Sequence, residues 1–156
     1  MQNLSARAET LRAHSDAPIE PFHAVVLYDE ISAGKRGVST LARLAGLREE
    51  DVIEVRPRLW RFDFLKDRHG YVDAALDLAA AKMIIISTDG VTPLPDIIKD
   101  WLTDVFEQKR GHRFAVAALL GSDEPSALSA SEDMQFIEDL ASKVEVDFFA
   151  PCFSRI

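Results

Sequence analysis

Apolar residues run without interruption at His23–Tyr28 (HAVVLY), Met83–Ser87 (MIIIS) and Phe114–Leu120 (FAVAALL). Unbroken runs of this length predict strands covered on both faces, as in the interior of a parallel sheet. Val52–Arg56 (VIEVR) and Val144–Phe148 (VEVDF) alternate instead. One set of their side chains can stay wet, which suits sheet edges. Helical spacing predicts helices over Val38–Ala45, Val72–Ala81, Pro95–Lys109 and Ser129–Ser142, each short enough for one crossover. The third has the clearest signals: Pro95 and Asp96 in the first turn, an apolar stripe through Ile98, Trp101, Leu102 and Val105, and Gly111 as a stop.

Strands and helices therefore alternate, with strands one, three and four central and strands two and five at the edges. Right-handed crossovers then favour one α/β domain built on a doubly wound parallel five-stranded sheet of order 2-1-3-4-5. This is the flavodoxin-like arrangement, here expected over residues 21–156. Strand five ends near Ala150 and six residues follow, so the usual C-terminal helix is expected to be missing. Residues 1–20 are read as an N-terminal helix and linker: Leu4, Ala8 and Leu11 stand at helical spacing, and Ser15–Pro21 (SDAPIEP) leads into strand one. That helix, helped by a second copy in a two-fold homodimer, is expected to cover the face left bare.

Composition narrows the function. The 156 residues carry 18 Lys and Arg against 26 Asp and Glu, a net charge of −8, which argues against nucleic acid and anionic membrane as partners. A lone cysteine, Cys152, excludes an intrachain disulfide and a Cys-rich zinc site. No apolar run reaches a membrane span and the polar start lacks a signal-peptide core, so a cytoplasmic location is expected. Four dispersed histidines suggest no metal site, and no catalytic set can be assembled.

In open α/β sheets, ligands sit outside the carboxyl ends of the strands where the winding reverses. Asp29 to Thr40 follows strand one there, and Gly34, Lys35, Arg36, Gly37, Ser39 and Thr40 supply flexible backbone, cations and hydroxyls suited to a small anionic ligand. Thr88, Asp89 and Gly90 follow strand three. Residues 31–70 hold an excess of three positive charges, and Arg56, Arg58 and Arg61 are expected in the loop after strand two. Trp60, Phe62 and Phe64 would share one side of an extended segment, either as core or as a platform for a partner.

Gly34–Ala45 (GKRGVSTLARLA), with Ile86-Ser87-Thr88 and then Pro93, Pro95, Lys99 and Trp101, resembles the phosphate loop and third-strand region of NAD(P)H-dependent FMN reductases. The resemblance covers under a third of the chain and implies FMN as cofactor, its phosphate held by Ser39 and Thr40, in an oxidoreductase. Asp29, Glu30, Asp89 and Ser122 are similar in placement to the acidic pair, acceptor Asp and hydroxyl of response-regulator receivers. Asp89 is expected beyond the strand end, and Pro151 stands where receivers carry Lys. Trp60-Arg61-Phe62-Asp63, with Leu94-Pro95 and Trp101, also resembles a group of uncharacterised bacterial proteins. Three functions follow as expectations: a regulatory or protein-interaction binding domain, an FMN-dependent oxidoreductase, and a degenerate receiver-like signalling domain.

Overall fold

β1 (Phe22–Tyr28) is central because its side chains are apolar on both faces: Ala24, Val25, Val26 and Leu27 are all buried. It pairs in parallel with β2 (Val55–Arg61) on one side and β3 (Met83–Thr88) on the other. β4 (Ala115–Leu120) follows β3, and the three-residue β5 (Asp147–Phe149) closes the sheet, in the order β2-β1-β3-β4-β5. The computed structural model describes residues 22–46, 55–121 and 128–150. The expected doubly wound sheet with two polar edges is thus observed, and no helix follows β5 among the described residues. Residues 1–20, Val52–Glu54, Ser122 and Pro151, all named above, lie outside them.

The register sorts the strand residues into two layers. Val25 and Leu27 align with Ile84 and Ile86, which align with Val116 and Ala118. These side chains form the larger core together with the helices α2 (Phe62–Leu65), α3 (Arg68–Ala80), α4 (Asp96–Gln108) and α5 (Leu128–Lys143). Trp101, Phe106, Leu78 and Ile137 are at most 1% exposed there. Each buried large apolar side chain contributes about 1.5–3 kcal/mol, so this layer dominates the stability. Ala24, Val26, Ile85, Ala117 and Leu119 point to the other face, where α1 (Ile31–Gly46) packs with Leu41 and Val38.

Besides an earlier start of α3 at Arg68 and a shorter β5, expected over Val144–Phe148, two boundaries and the aromatic row differ from expectation, each for a physical reason. α1 begins at Ile31, not Val38, because Gly37 rests on β1: a Cβ there would stand 2.6 Å from Val26 Cγ1. The gain from close helix-to-sheet contact outweighs the poor helix propensity of glycine, about 1 kcal/mol. β2 is shifted to Val55–Arg61, so Arg56, Arg58 and Arg61 lie in the edge strand itself and not in a loop after it. The aromatic row is broken: Trp60 ends in the strand with Nε1 donating to Asp77 Oδ2 (2.8 Å), Phe62 is buried in α2, and Phe64 is exposed.

Lys109, just past α4, is buried without a carboxylate partner among the described residues. Its Nζ donates to the carbonyls of Ala79 (3.1 Å) and Ala81 (3.0 Å), unsatisfied acceptors at the end of α3, and lies 4.7 Å from the Phe114 ring centroid. Burial, with the nearby Lys82 charge, pushes its pKa down to about 8. No described helix is long and apolar enough to cross a membrane.

Candidate functional site

The sheet order places β1 beside β3, with Tyr28 in register with Ser87. The residues leaving these two strands therefore emerge side by side at the winding reversal. They are acidic: Asp29 and Glu30 follow β1, and Asp89 directly follows β3. One carboxylate oxygen from each lies within 4.8 Å of the others. β3 reaches Thr88, one residue further than its apolar run suggested, and Asp89 lies immediately beyond the strand end, as expected.

Each aspartate is fixed through one oxygen. Asp29 Oδ2 accepts from the Asp89 backbone N (3.1 Å), which ties the two strand ends together. Asp89 Oδ1 accepts from the N–H groups of Val91 (2.8 Å) and Thr92 (3.2 Å), folding the loop back on itself. Asp29 Oδ1, by contrast, is buried and has no hydrogen-bond partner. A buried acceptor left unmade costs about 1–3 kcal/mol.

The loop backbone is held equally closely. Gly90, at φ 78°, donates its N–H to Thr88 Oγ1 (3.1 Å), and Gly121 N donates to Thr88 O (3.0 Å). The Arg36 Nη2 group donates to the same carbonyl (2.7 Å), and Arg61 Nε donates to Asp29 O (3.2 Å). Ser87 Oγ donates to Ala33 O (2.7 Å), anchoring α1 against β3. Further along, buried Asp133 of α5 accepts from Leu94 N (2.9 Å) and sits 3.5 Å from Lys99 Nζ, pinning the far end of the β3–α4 loop.

Crowding of like charge shows in the titration of the trio. Burial raises the pKa of Asp29 above its usual 3.8, assisted by the charge of Asp89. Glu30 is raised above 4.5 by a shared hydrogen bond with Asp89, then by the charges of Asp89 and Asp29. Burial also pushes Asp89 upward, but the N–H groups of Val91 and Thr92 and the hydrogen bonds with Glu30 and Asp29 outweigh it and hold it below 3.8. A cation placed among the three would relieve this repulsion.

The structure divides the residues expected from sequence. Gly34, Lys35, Arg36, Gly37, Ser39 and Thr40 all lie within α1 and form no loop. Gly34, Gly37 and Thr40 are buried, and Arg36 turns toward β3. Lys35 and Ser39 are exposed and line a shallow groove of about 440 Å³ with Tyr28, Ile31, Val38 and Leu59. Thr88, Asp89 and Gly90 lie at the acidic site. Asp29, Glu30 and Asp89, placed one by one in receiver-like roles from the sequence, converge here; the signal of that convergence is an acidic residue directly after each of two central strands. A larger concavity of about 950 Å³ lies at the opposite end of the sheet, lined by Lys82, Arg110, Arg113, Glu145 and Asp147 among others. Its charges are mixed, and Arg110 is already bound to Glu107 and to Lys143 O.

Comparison with protein-family models, with curated proteins and with solved structures found no match to this chain.

Proposed function

We propose that the chain is a receiver-like regulatory domain that acts by binding, with a hard divalent cation of the Mg²⁺ type held by Asp29, Glu30 and Asp89. The observation that carries this reading is Asp29 Oδ1, a buried oxygen without a partner beside two further carboxylates. Mg²⁺ takes oxygen ligands, commonly one or two carboxylates plus waters, and a cluster of one exposed and two half-buried carboxylates suits it. Cation binding leaves the Asp29 Oδ2 and Asp89 Oδ1 bonds in place, so it adds a link between the ends of β1 and β3 without dismantling the loop. The regulatory consequence is a firmer carboxyl face, offered to a protein partner when the cation is bound.

The flavin reading has less support. The β1–α1 connection is two residues long and both are acidic, so a flavin phosphate at the start of α1 would meet Asp29 and Glu30. Phosphoryl transfer to Asp89 is also disfavoured, because Phe149 ends β5 and Ala150 follows it, and neither offers an ammonium group to neutralise the phosphoryl oxygens.

Thermal melting with and without MgCl₂ tests the proposal. A ligand at a hundredfold excess over its Kd stabilises by about 2.7 kcal/mol, so the Tm of the native chain should rise with Mg²⁺ and that of Asp29→Asn should not. A native Tm indifferent to Mg²⁺, Mn²⁺ and Ca²⁺ would overturn it.

A further inference from the structure

Four basic side chains fall within five positions at the turn from α4 to β4, Lys109-Arg110-Gly111-His112-Arg113, in a chain of net charge −8. The helix ends account for two of them. Lys109 caps the carbonyls of Ala79 and Ala81, and Arg110 pairs with Glu107 and donates to Lys143 O. His112 and Arg113 stand beyond the helix, are exposed, and enter no side-chain hydrogen bond or ion pair among the described residues. The same holds for the side chain of Lys82, between α3 and β3.

Strand register brings these three together. Met83 aligns with Ala115, and Ala115 N donates to Lys82 O (2.9 Å), so Lys82 and the turn before β4 lie side by side at the amino end of the sheet. All three line the concavity of about 950 Å³ there. Small-molecule sites commonly span roughly 300–1,000 Å³. A Cβ on Gly111 would meet nothing within 4 Å, so the turn leaves this space open.

The acids of the concavity do not cancel its cations. Arg110 is matched by Glu107, its ion-pair partner, and by the nearby charge of Glu145. That leaves Asp147 against Lys82 and Arg113. Behind the wall residue Phe114, whose ring centroid lies 4.7 Å from Lys109 Nζ, a further cation is buried. Burial, then the charge of Lys82, lowers the pKa of Lys109, so like charges already crowd this end of the sheet. An anion placed there relieves that crowding. Part of the remaining wall is apolar, with Phe22, Met83, Ala115 and Val146 half-buried.

We propose that this concavity binds a small organic oxyanion, a phosphate or carboxylate carried on an apolar body. Arg113 and Lys82 take the head, and Phe22, Met83 and Val146 take the body. A guanidinium offers a planar fork that meets two oxygens of such a head at once, and an ammonium adds a point charge beside it. Head and body are both required, because a bare ion keeps its water and an apolar body alone leaves the cations unmatched. The site lies at the opposite end of the sheet from Asp29, Glu30 and Asp89, and the inference is independent of the cation proposed there.

The probe is phenyl phosphate, titrated at constant ionic strength into the isotope-labelled full chain and followed by backbone amide resonances. Inorganic phosphate and phenol serve as the head and the body alone. Phenyl phosphate should shift the amides of Lys82, Met83, Gly111, His112 and Arg113 saturably, and bind roughly tenfold or more tightly than either fragment. Lys82→Gln with Arg113→Gln should weaken it by a similar factor. Lys66→Gln with Arg68→Gln, which removes the same charge from exposed positions elsewhere, should leave it unchanged. The inference is overturned by the absence of saturable shifts, by equal binding of inorganic phosphate, or by equal losses in the two variants. Shifts centred on the carboxyl end of β1 and β3 overturn it as well.

Discussion

Gly90 holds the acidic site together at its least forgiving point, and its replacement by alanine has a calculable cost. Its φ of 78° disfavours any side chain, by about 1–2 kcal/mol. A Cβ at this position would stand 2.5 Å from Gly121 Cα and 2.9 Å from Gly121 N, both backbone atoms that cannot rotate aside. Ordinary carbon contacts begin near 3.5 Å, so the two loops must part by about 1 Å. That movement stretches the 3.0 Å bond from Gly121 N to Thr88 O beyond hydrogen-bonding range and strains the 3.1 Å bond from Gly90 N to Thr88 Oγ1. Losing one such bond and leaving a buried group unpaired costs about 2–3 kcal/mol, for a total near 4 kcal/mol. Gly111 is the control, because it also has a positive φ, 91°, but a Cβ there meets nothing within 4 Å. Urea unfolding of Gly90→Ala and Gly111→Ala should therefore differ by about 2–3 kcal/mol, the φ and unfolded-chain effects being shared. A difference below about 1 kcal/mol would refute the reasoning.

Gly70→Ala should destabilise although its backbone needs no unusual φ, because a Cβ would fall on the Phe64 carbonyl oxygen where α2 meets α3; a urea midpoint equal to the native one contradicts this. Lys109 makes stability depend on alkaline pH. Its folded pKa of about 8 lies below the ordinary 10.5, so between these values the unfolded chain binds more protons and stability rises with pH. A neutral amine keeps two N–H groups for the Ala79 and Ala81 carbonyls, so the cap survives deprotonation. The native chain should gain urea resistance from pH 8 to 10 relative to Lys109→Met, and parallel profiles would sink this prediction. FMN titrated into the protein should keep its fluorescence, whereas saturable quenching abolished by Ser39→Ala with Thr40→Ala would restore the flavin reading.

The central strands were legible because β1, β3 and β4 carry apolar residues on both faces, and β5 could be placed at an edge from its alternating charges. β2 was displaced in the reading because Pro57 and Arg58 obscure alternation; both are exposed, as a sheet edge permits. Gly34 and Gly37 suggested a loop, since glycine is a poor helix former. Only the proximity of Val26, a tertiary fact, shows why a helix accepts Gly37. Phe64 illustrates the converse: its apolar character pointed inward, and the helical turn at Phe62–Leu65 points it to solvent. For the site, Asp29 and Asp89 were recognisable one by one as residues at strand ends. Their convergence needed the adjacency of β1 and β3, and the unpartnered Asp29 oxygen depends on side-chain geometry that no spacing rule encodes.

Cation binding at the acidic trio is tested most directly by adding substoichiometric Mn²⁺ to isotope-labelled protein and following backbone amide resonances. Paramagnetic broadening should centre on Asp29, Glu30, Asp89 and Gly90 and spare β5. Excess Mg²⁺ should reverse it, Asp29→Asn should abolish it, and it should weaken on acidification as the raised pKa values of Asp29 and Glu30 are approached. Broadening centred elsewhere, or the same broadening in Asp29→Asn, would contradict the assignment of this site.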